Sequence, residues 1–315
     1  MDASTTYPSA FVEEPGVIIA SVTYYYLNLG LRVIVNPVLA VLALCAAIIN
    51  VVTFARIGLN KGINQSLFVL SLSDFVLAAL LLVGNLCYIL LWFRIQSMGL
   101  LSTLKIVLWL VNYPNTSSIV VTTVIAVVRC LCVVMPLSFR SVVTDCRQLV
   151  IIAFCSCIGF SVILYCQFIM SILQTSITVR KNANVLFNIF RNTFFYILLL
   201  IIIVSMVFLT LALKKSAKFQ IKSAANSSIK REAQVIKTMI LILVIFVTCN
   251  IPLILLSVLR LVLPTFGSTG QYRNVEEVVD MLIALSLPLN IGLNTFVYLA
   301  YNSRFRNTFL SWNSK

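Results

Sequence analysis

The chain runs to 315 residues, 61% of them hydrophobic and only 10% charged, with a formal net charge of +14 and no histidine. A soluble domain of this size carries about a quarter charged residues, so this chain lacks the polar surface to coat a water-soluble globule and must present part of itself to lipid. The missing histidine removes His-based acid–base catalysis, Ser–His and Cys–His nucleophile pairs and His metal sites, and no paired carboxylates are expected inside the membrane, so an enzyme is not expected. Lys and Arg fall between apolar runs instead of covering one soluble face, which excludes nucleic acid as the expected partner.

Apolar segments long enough to cross ~30 Å of hydrocarbon at ~1.5 Å per residue recur along the chain. They lie at Leu31–Ile57, Ser66–Trp92, Thr103–Met135, Gln148–Leu173, Asn188–Leu213, Val235–Leu263 and Val275–Tyr301. The third is interrupted at its outer end by Tyr113, Pro114 and Asn115. A backbone in lipid must satisfy its own hydrogen bonds, so these runs are read as helices. The first is expected to serve as an uncleaved signal anchor. After the last, Asn302–Trp312 alternates Arg304 and Arg306 with Phe305, Phe309 and Trp312, the pattern of a short helix lying in the interface. The expected fold is therefore an all-α membrane protein: a seven-transmembrane helix bundle with a short amphipathic eighth helix. It divides into an extracellular N-terminus (1–30), the bundle (31–301) and a cytoplasmic amphipathic helix with a short tail (302–315).

An odd number of crossings puts the termini on opposite sides. Placing the C-terminus in the cytoplasm puts most Lys and Arg inside, together with Asp145 and Glu232, and leaves Asp2, Glu13, Glu14, Glu276, Glu277 and Asp280 outside. That distribution follows the positive-inside bias, and the expected location is the plasma membrane, multi-pass. The run Lys214–Lys237 between the fifth and sixth spans is densely basic, with Glu232 its one acid. It suits anionic lipid, where each basic residue contributes about 1 kcal/mol, and equally a cytoplasmic docking partner. The glycosylation-type sequences at Asn64, Asn115 and Asn226 fall in cytoplasmic or membrane positions and are not expected to carry glycans. The nine Cys show no zinc-type spacing and read mostly as small buried apolar residues.

Polar groups inside a bilayer cost several kcal/mol unless they meet a partner or a wet cavity, so they are the informative residues. Asp74 is the one acid deep in the apolar core; Asn50, Ser118, Asn290 and Asn294 share that depth. Interhelical hydrogen bonding alone would account for them, and so would a functional relay.

At these residues a resemblance begins. Asn50, Leu70–Asp74 (LSLSD), Arg129 closing the third helix with Pro136 after it, Phe246, Cys249 and Pro252 (FxxCxxP), Asn294 to Tyr298 (NTFVY) and Phe305 occur in order, one set per expected helix. Together they resemble the signatures of rhodopsin-like (class A) G-protein-coupled receptors. The resemblance implies a receptor that binds an extracellular small-molecule or peptide ligand and activates a heterotrimeric G protein. It implies no cofactor, apart from a sodium ion held by Asp74, Ser118, Asn290 and Asn294, whose oxygens suit a hard cation. Arg129 would contact the G protein, Glu232 would restrain Arg129 when inactive, and Tyr298 would swing inward. Asn50, Phe246, Cys249 and Pro252 would pack the helices and form the hinge, and Pro252 and Pro288 supply kinks.

Departures from the family pattern are equally specific. Val128 stands for the usual Asp before the Arg, Cys130 for Tyr, Asn250 for a Trp and Thr295 for Pro. Leu104 occupies the place of a disulfide Cys, leaving a Cys87–Cys166 bridge as a conceivable substitute. The family's amine-binding Asp is Val111 here, and the seventh span holds no retinal-binding Lys, so neither monoamine nor retinal is expected. The upper pocket would draw on Asn85, Tyr88, Asn112, Asn115, Arg191, Tyr196, Ser257, Arg260 and Asp280, each of which packing would also explain. The wording VVRCLCVVMPLSFRSVVT is similar to the chemosensory receptors of gastropod molluscs, making chemosensing the expected role. A neuropeptide receptor is the alternative within the class, and a small transporter or channel the alternative outside it. Against the latter, the two halves show no internal repeat.

Overall fold

The computed structural model describes residues 19–95, 97–134, 145–172, 193–214, 227–262 and 272–312. All regular structure among them is helical. The helices are α1 (Ser21–Ile57), α2 (Gly62–Trp92), α3 (Met98–Leu110 and Asn112–Val134), α4 (Asp145–Ile172), α5 (Thr193–Lys214), α6 (Ser227–Val262), α7 (Arg273–Tyr301) and α8 (Ser303–Leu310). Six have the length and hydropathy to cross a membrane; α4 is apolar over Arg147–Ser161. With α4 they form the seven-helix bundle, and α8 follows α7 after a single residue, Asn302.

α1 begins at Ser21, not at Leu31. At ~1.5 Å per residue a helix from Ser21 to Ile57 is about 55 Å long, against ~30 Å of hydrocarbon, so it projects well beyond the apolar layer. Hydropathy alone misses such an extension because tyrosines and asparagines lower the average. Within α1, residues Asn28–Val35 form a wide π-helical stretch, and the Asn36 amide reaches back five residues to the Leu31 carbonyl. Its cause stands next in the chain: Pro37 has no N–H and its ring crowds the carbonyl four residues back, so the widened turn accommodates the strain.

The third span breaks at Val111, just before the expected Tyr113–Asn115. Pro114 cannot donate to the Leu110 carbonyl, and the Asn112 side-chain amide covers the break by donating to the carbonyls of Leu108 and Trp109, both at 3.2 Å. Asn250, in the place of the usual Trp, spends its amide on the Phe246 carbonyl one turn back at 2.7 Å.

Small residues set the closest approaches. Ala43, Ala47 and Ala78 pack with Leu77 and Ile291, bringing α1, α2 and α7 together. A Cβ placed on Gly159 of α4 would stand 3.1 Å from Thr116 Cγ2 on α3, a tight contact that the Thr116 side chain must yield to by a few tenths of an ångström. A second cluster joins α3, α5 and α6 through Ile119, Phe195, Leu199, Ile202, Leu243 and Phe246. Large apolar side chains such as Phe154, Leu200 and Phe296 point outward, as lipid contact requires. Cys87 is a buried free thiol, so the Cys87–Cys166 bridge is not formed.

Candidate functional site

Asp74 sits on the inward face of α2 and is 1% exposed. Ser118 of α3 donates to its Oδ1 at 2.9 Å, and Asn294 of α7 donates to its Oδ2 at 3.3 Å. One residue before Ser118, Ser117 meets Ser73 hydroxyl to hydroxyl at 3.1 Å. Three helices thus converge on one carboxylate, and three of the four sequence-expected residues, Asp74, Ser118 and Asn294, are brought together.

Buried polar atoms with no hydrogen-bond partner among the described residues include Oδ1 of Asn294, which itself bonds the carboxylate through its amide, Oδ1 of Asn290 one turn earlier on α7, both amide atoms of Asn50, and the Tyr298 hydroxyl. Buried polar groups are normally satisfied, and each lone one calls for a water, an ion or an alternative state. An unpartnered carbonyl-type oxygen on Asn294 and the Ser118 hydroxyl beside a carboxylate are donors that suit a hard monovalent cation, so these residues are compatible with sodium. Below the cluster α2, α3 and α6 close on Leu67, Leu70, Thr122, Ile125, Met239 and Ile242, leaving a cavity of about 10 Å³. That is about one water's worth of space. The polar cluster therefore rests on an apolar floor.

Tyr298 is 1% exposed and held in an aromatic trio: Phe54 of α1 meets its ring edge-on at 5.1 Å, and Phe305 of α8 lies at 5.5 Å. Thr295, in the place of the usual Pro, donates its hydroxyl to the Ala46 carbonyl of α1 at 3.4 Å. Phe246 is buried against α5, Cys249 is a half-buried thiol, and Pro252 lies inside α6. Arg129 is half-buried near the inner end of α3, and Val128 beside it is buried. Glu232 belongs to the first turns of α6, but its side chain lies outside the described residues, so its pairing with Arg129 does too.

Of the expected upper pocket, Asn85 and Tyr88 turn towards α1. Asn85 accepts from Asn36 at 3.0 Å, and the Tyr88 hydroxyl donates to Asn28 at 3.0 Å. Asn112 covers the α3 break, Asn115 is half-buried on α3, the Tyr196 hydroxyl is buried on α5, and Asp280 is half-buried on α7. Arg191 and the side chains of Ser257 and Arg260 lie outside the described residues, as does Pro136.

Sequence reasoning missed a polar seam along the outer half of α1. Tyr24 donates to Glu277 of α7 at 2.8 Å, Asn28 donates to Tyr24 at 3.4 Å, and Arg32 lies over the Tyr88 ring at 4.8 Å. The signal was available: Tyr24, Asn28, Arg32 and Asn36 recur every four residues, the spacing of one helix face. Also missed was Gln148 of α4, which donates to Ser66 of α2 at 2.6 Å in a buried position.

These features assemble a seven-helix bundle whose central carboxylate ties α2 to α3 and α7. A family profile described as "7 transmembrane receptor (rhodopsin family)" matches residues 46–298. The match spans the greater part of the chain, and the chain belongs to the rhodopsin family of seven-transmembrane receptors, a receptor family and not an enzymatic one. No individual curated protein matches the sequence.

Proposed function

We propose that this receptor lies in the plasma membrane with its N-terminus outside, binds a small extracellular chemical cue and activates a heterotrimeric G protein. The observation that carries the switching part of this reading is the Asp74 carboxylate bonded to both Ser118 and Asn294. Such a bridge has two stable arrangements, made and unmade, and a ligand that prefers one shifts the population. Asp74, Ser118, Asn290 and Asn294 would hold a sodium ion, whose charge offsets that of a carboxylate buried without a cationic side chain in hydrogen-bond contact. Tyr298, with a buried unpaired hydroxyl, is the group that gains a partner by moving inward.

At the cytoplasmic face Arg129 would contact the G protein, and Glu232 would restrain it in the resting state. Val128 removes the family's usual neighbouring acid, so the α6 carboxylate carries the restraint alone. The chemosensory role is supported by the wording around Arg129 and by the absence of an amine-binding Asp at Val111.

The test is ligand-free nucleotide exchange on G protein at matched surface expression. Glu232→Ala should raise the basal rate and Arg129→Ala should lower it. Identical rates in all three proteins, with exchange well above the receptor-free background, would overturn the switch. Exchange at background in all three and with every small-molecule cue tried would overturn the coupling.

A further inference from the structure

Tyr24, Asn28, Arg32 and Asn36 all meet α2 or α7, and an ordinary α-helix would not keep them in one row. At ~3.6 residues per turn each four-residue step drifts about 40° round the axis, so Tyr24 and Asn36 would stand about 120° apart. A π turn holds more than four residues, so there the same step falls short of a full turn and the drift reverses. Asn28–Val35 is π-helical, and that reversal keeps all four residues on the side of α1 that faces its neighbours.

π-Helical stretches are mostly single turns. Pro37, with no N–H to give the Val33 carbonyl, accounts for the last turn only. The eight residues from Asn28 to Val35 need a further cause, and the outer contacts supply it. Asn28 is 5% exposed; it donates to the Tyr24 hydroxyl at 3.4 Å and accepts from the Tyr88 hydroxyl at 3.0 Å. Arg32 lies over the same Tyr88 ring at 4.8 Å. Tyr24 ends the row on Glu277 at 2.8 Å, and beyond it Asn274 of α7 donates to the Ile19 carbonyl at 2.7 Å. At the inner end of the stretch Asn36 is fixed separately, donating to Asn85 at 3.0 Å.

We propose that the outer part of α1 is a register latch. With the row of contacts made, residues 28–35 stay π-helical. With it unmade they rewind as α-helix, and the residues before Asn28 swing by roughly a third of a turn away from α7. Both forms bond the backbone internally, each N–H to a carbonyl four or five residues back, so the side-chain contacts decide between them. The made latch closes the outer joint between α1 and α7, and the unmade one opens it. It stands on α1 and its neighbours alone, whichever ligand and G protein the receptor takes.

The experiment uses the full chain in nanodiscs and measures the distance between spin labels at Val22→Cys and Met98→Cys, both exposed positions. The labels are attached on intact cells with a membrane-impermeant reagent, and the receptor without the two cysteines serves as the blank. Tyr24→Phe, Tyr88→Phe and Asn274→Ala together remove the hydrogen bonds of the latch and keep both rings. That variant should show a second, defined distance displaced by roughly 5–10 Å, the sweep of a third of a turn at a helix surface. Adding Pro37→Ala should move most molecules to the second distance, whereas Pro37→Ala alone should keep the wild-type one. Matching thermal unfolding would show that the variants fold. Should the triple change not fold, Tyr24→Phe with Tyr88→Phe, which removes only two hydroxyls, is read in the same way. The wild-type distance persisting with Pro37→Ala added to the latch changes would overturn the latch. So would a broad distribution without a second defined distance, which means fraying, or a shift with Pro37→Ala alone, which means that the proline sets the register.

Discussion

Ser118 donates its hydroxyl hydrogen to Asp74 across 2.9 Å, and that contact is where α3 is tied to the charge at the centre of the bundle. A carboxylate 1% exposed has little water to fall back on. Hydrogen bonds to charged groups contribute about 1.5–3 kcal/mol, so the loss of one is measurable. Ser118→Ala should lower the thermal unfolding temperature of the purified receptor, and Ser118→Thr should retain most of it. In a ligand-binding assay Asp74→Asn should abolish any dependence of agonist affinity on sodium concentration. A sodium dependence that survives Asp74→Asn would place the ion elsewhere.

Much of the architecture was legible in the residues. The expected spans match the observed helices closely at α2, α4 and α7, because runs that are apolar all round can only be buried or lipid-facing. Asp74, Ser118 and Asn294 were readable because a charge or amide deep in hydrocarbon is costly without a partner. What stayed hidden depended on neighbours or on departures from hydropathy. The start of α1 was set too late since Tyr24–Tyr26 and Asn28 depress the local average. Asn85 and Tyr88 could be read either as pocket residues or as packing, and only their bonds to α1 show which way they face, because depth in the membrane does not. Gln148 escaped notice altogether; a single polar residue at a span boundary has no signature until its partner, Ser66, is known.

Gly159 of α4 packs directly against α3. A methyl added there stands 3.1 Å from Thr116 Cγ2 and 3.6 Å from Val120 Cγ2. Overpacking of this kind costs about 1–3 kcal/mol. Gly159→Leu should therefore reduce both thermal stability and surface expression. The contact itself is tested by Gly159→Ala in two backgrounds. Its cost should shrink when Thr116→Ser removes the opposing methyl, and contacting pairs show such coupling at about 0.5 kcal/mol or more. An identical cost in both backgrounds would show that α3 is not what the methyl meets.

The outer seam predicts a coupled pair at the extracellular side. Tyr24→Phe removes the donor to Glu277, and Glu277→Gln removes the charge that makes the bond strong. For a part-buried contact of this type each change should cost about 1 kcal/mol, and the double variant should cost less than the sum. Unfolding measured at the two single variants and the double variant reads the coupling directly. Full additivity would mean that α1 and α7 are held together by their apolar contacts, with the seam as a bystander.

At the opposite face one amide joins α6 to the end of α7. Gln234 of α6 donates to the Tyr301 carbonyl at the end of α7 at 2.8 Å, next to the aromatic trio of Phe54, Tyr298 and Phe305. The contact is exposed, so its contribution is at most about 1 kcal/mol, which still corresponds to roughly a fivefold shift between resting and active populations. Gln234→Leu removes the donor, and Gln234→Glu keeps the shape while replacing the donor with an acceptor that repels the carbonyl. Both should raise ligand-free nucleotide exchange several-fold at equal surface expression, and the Glu variant at least as much as the Leu variant. If Gln234→Glu behaves as wild type while Gln234→Leu is activated, packing and not the hydrogen bond restrains α6. If neither is activated, α6 is held in its resting position by other contacts.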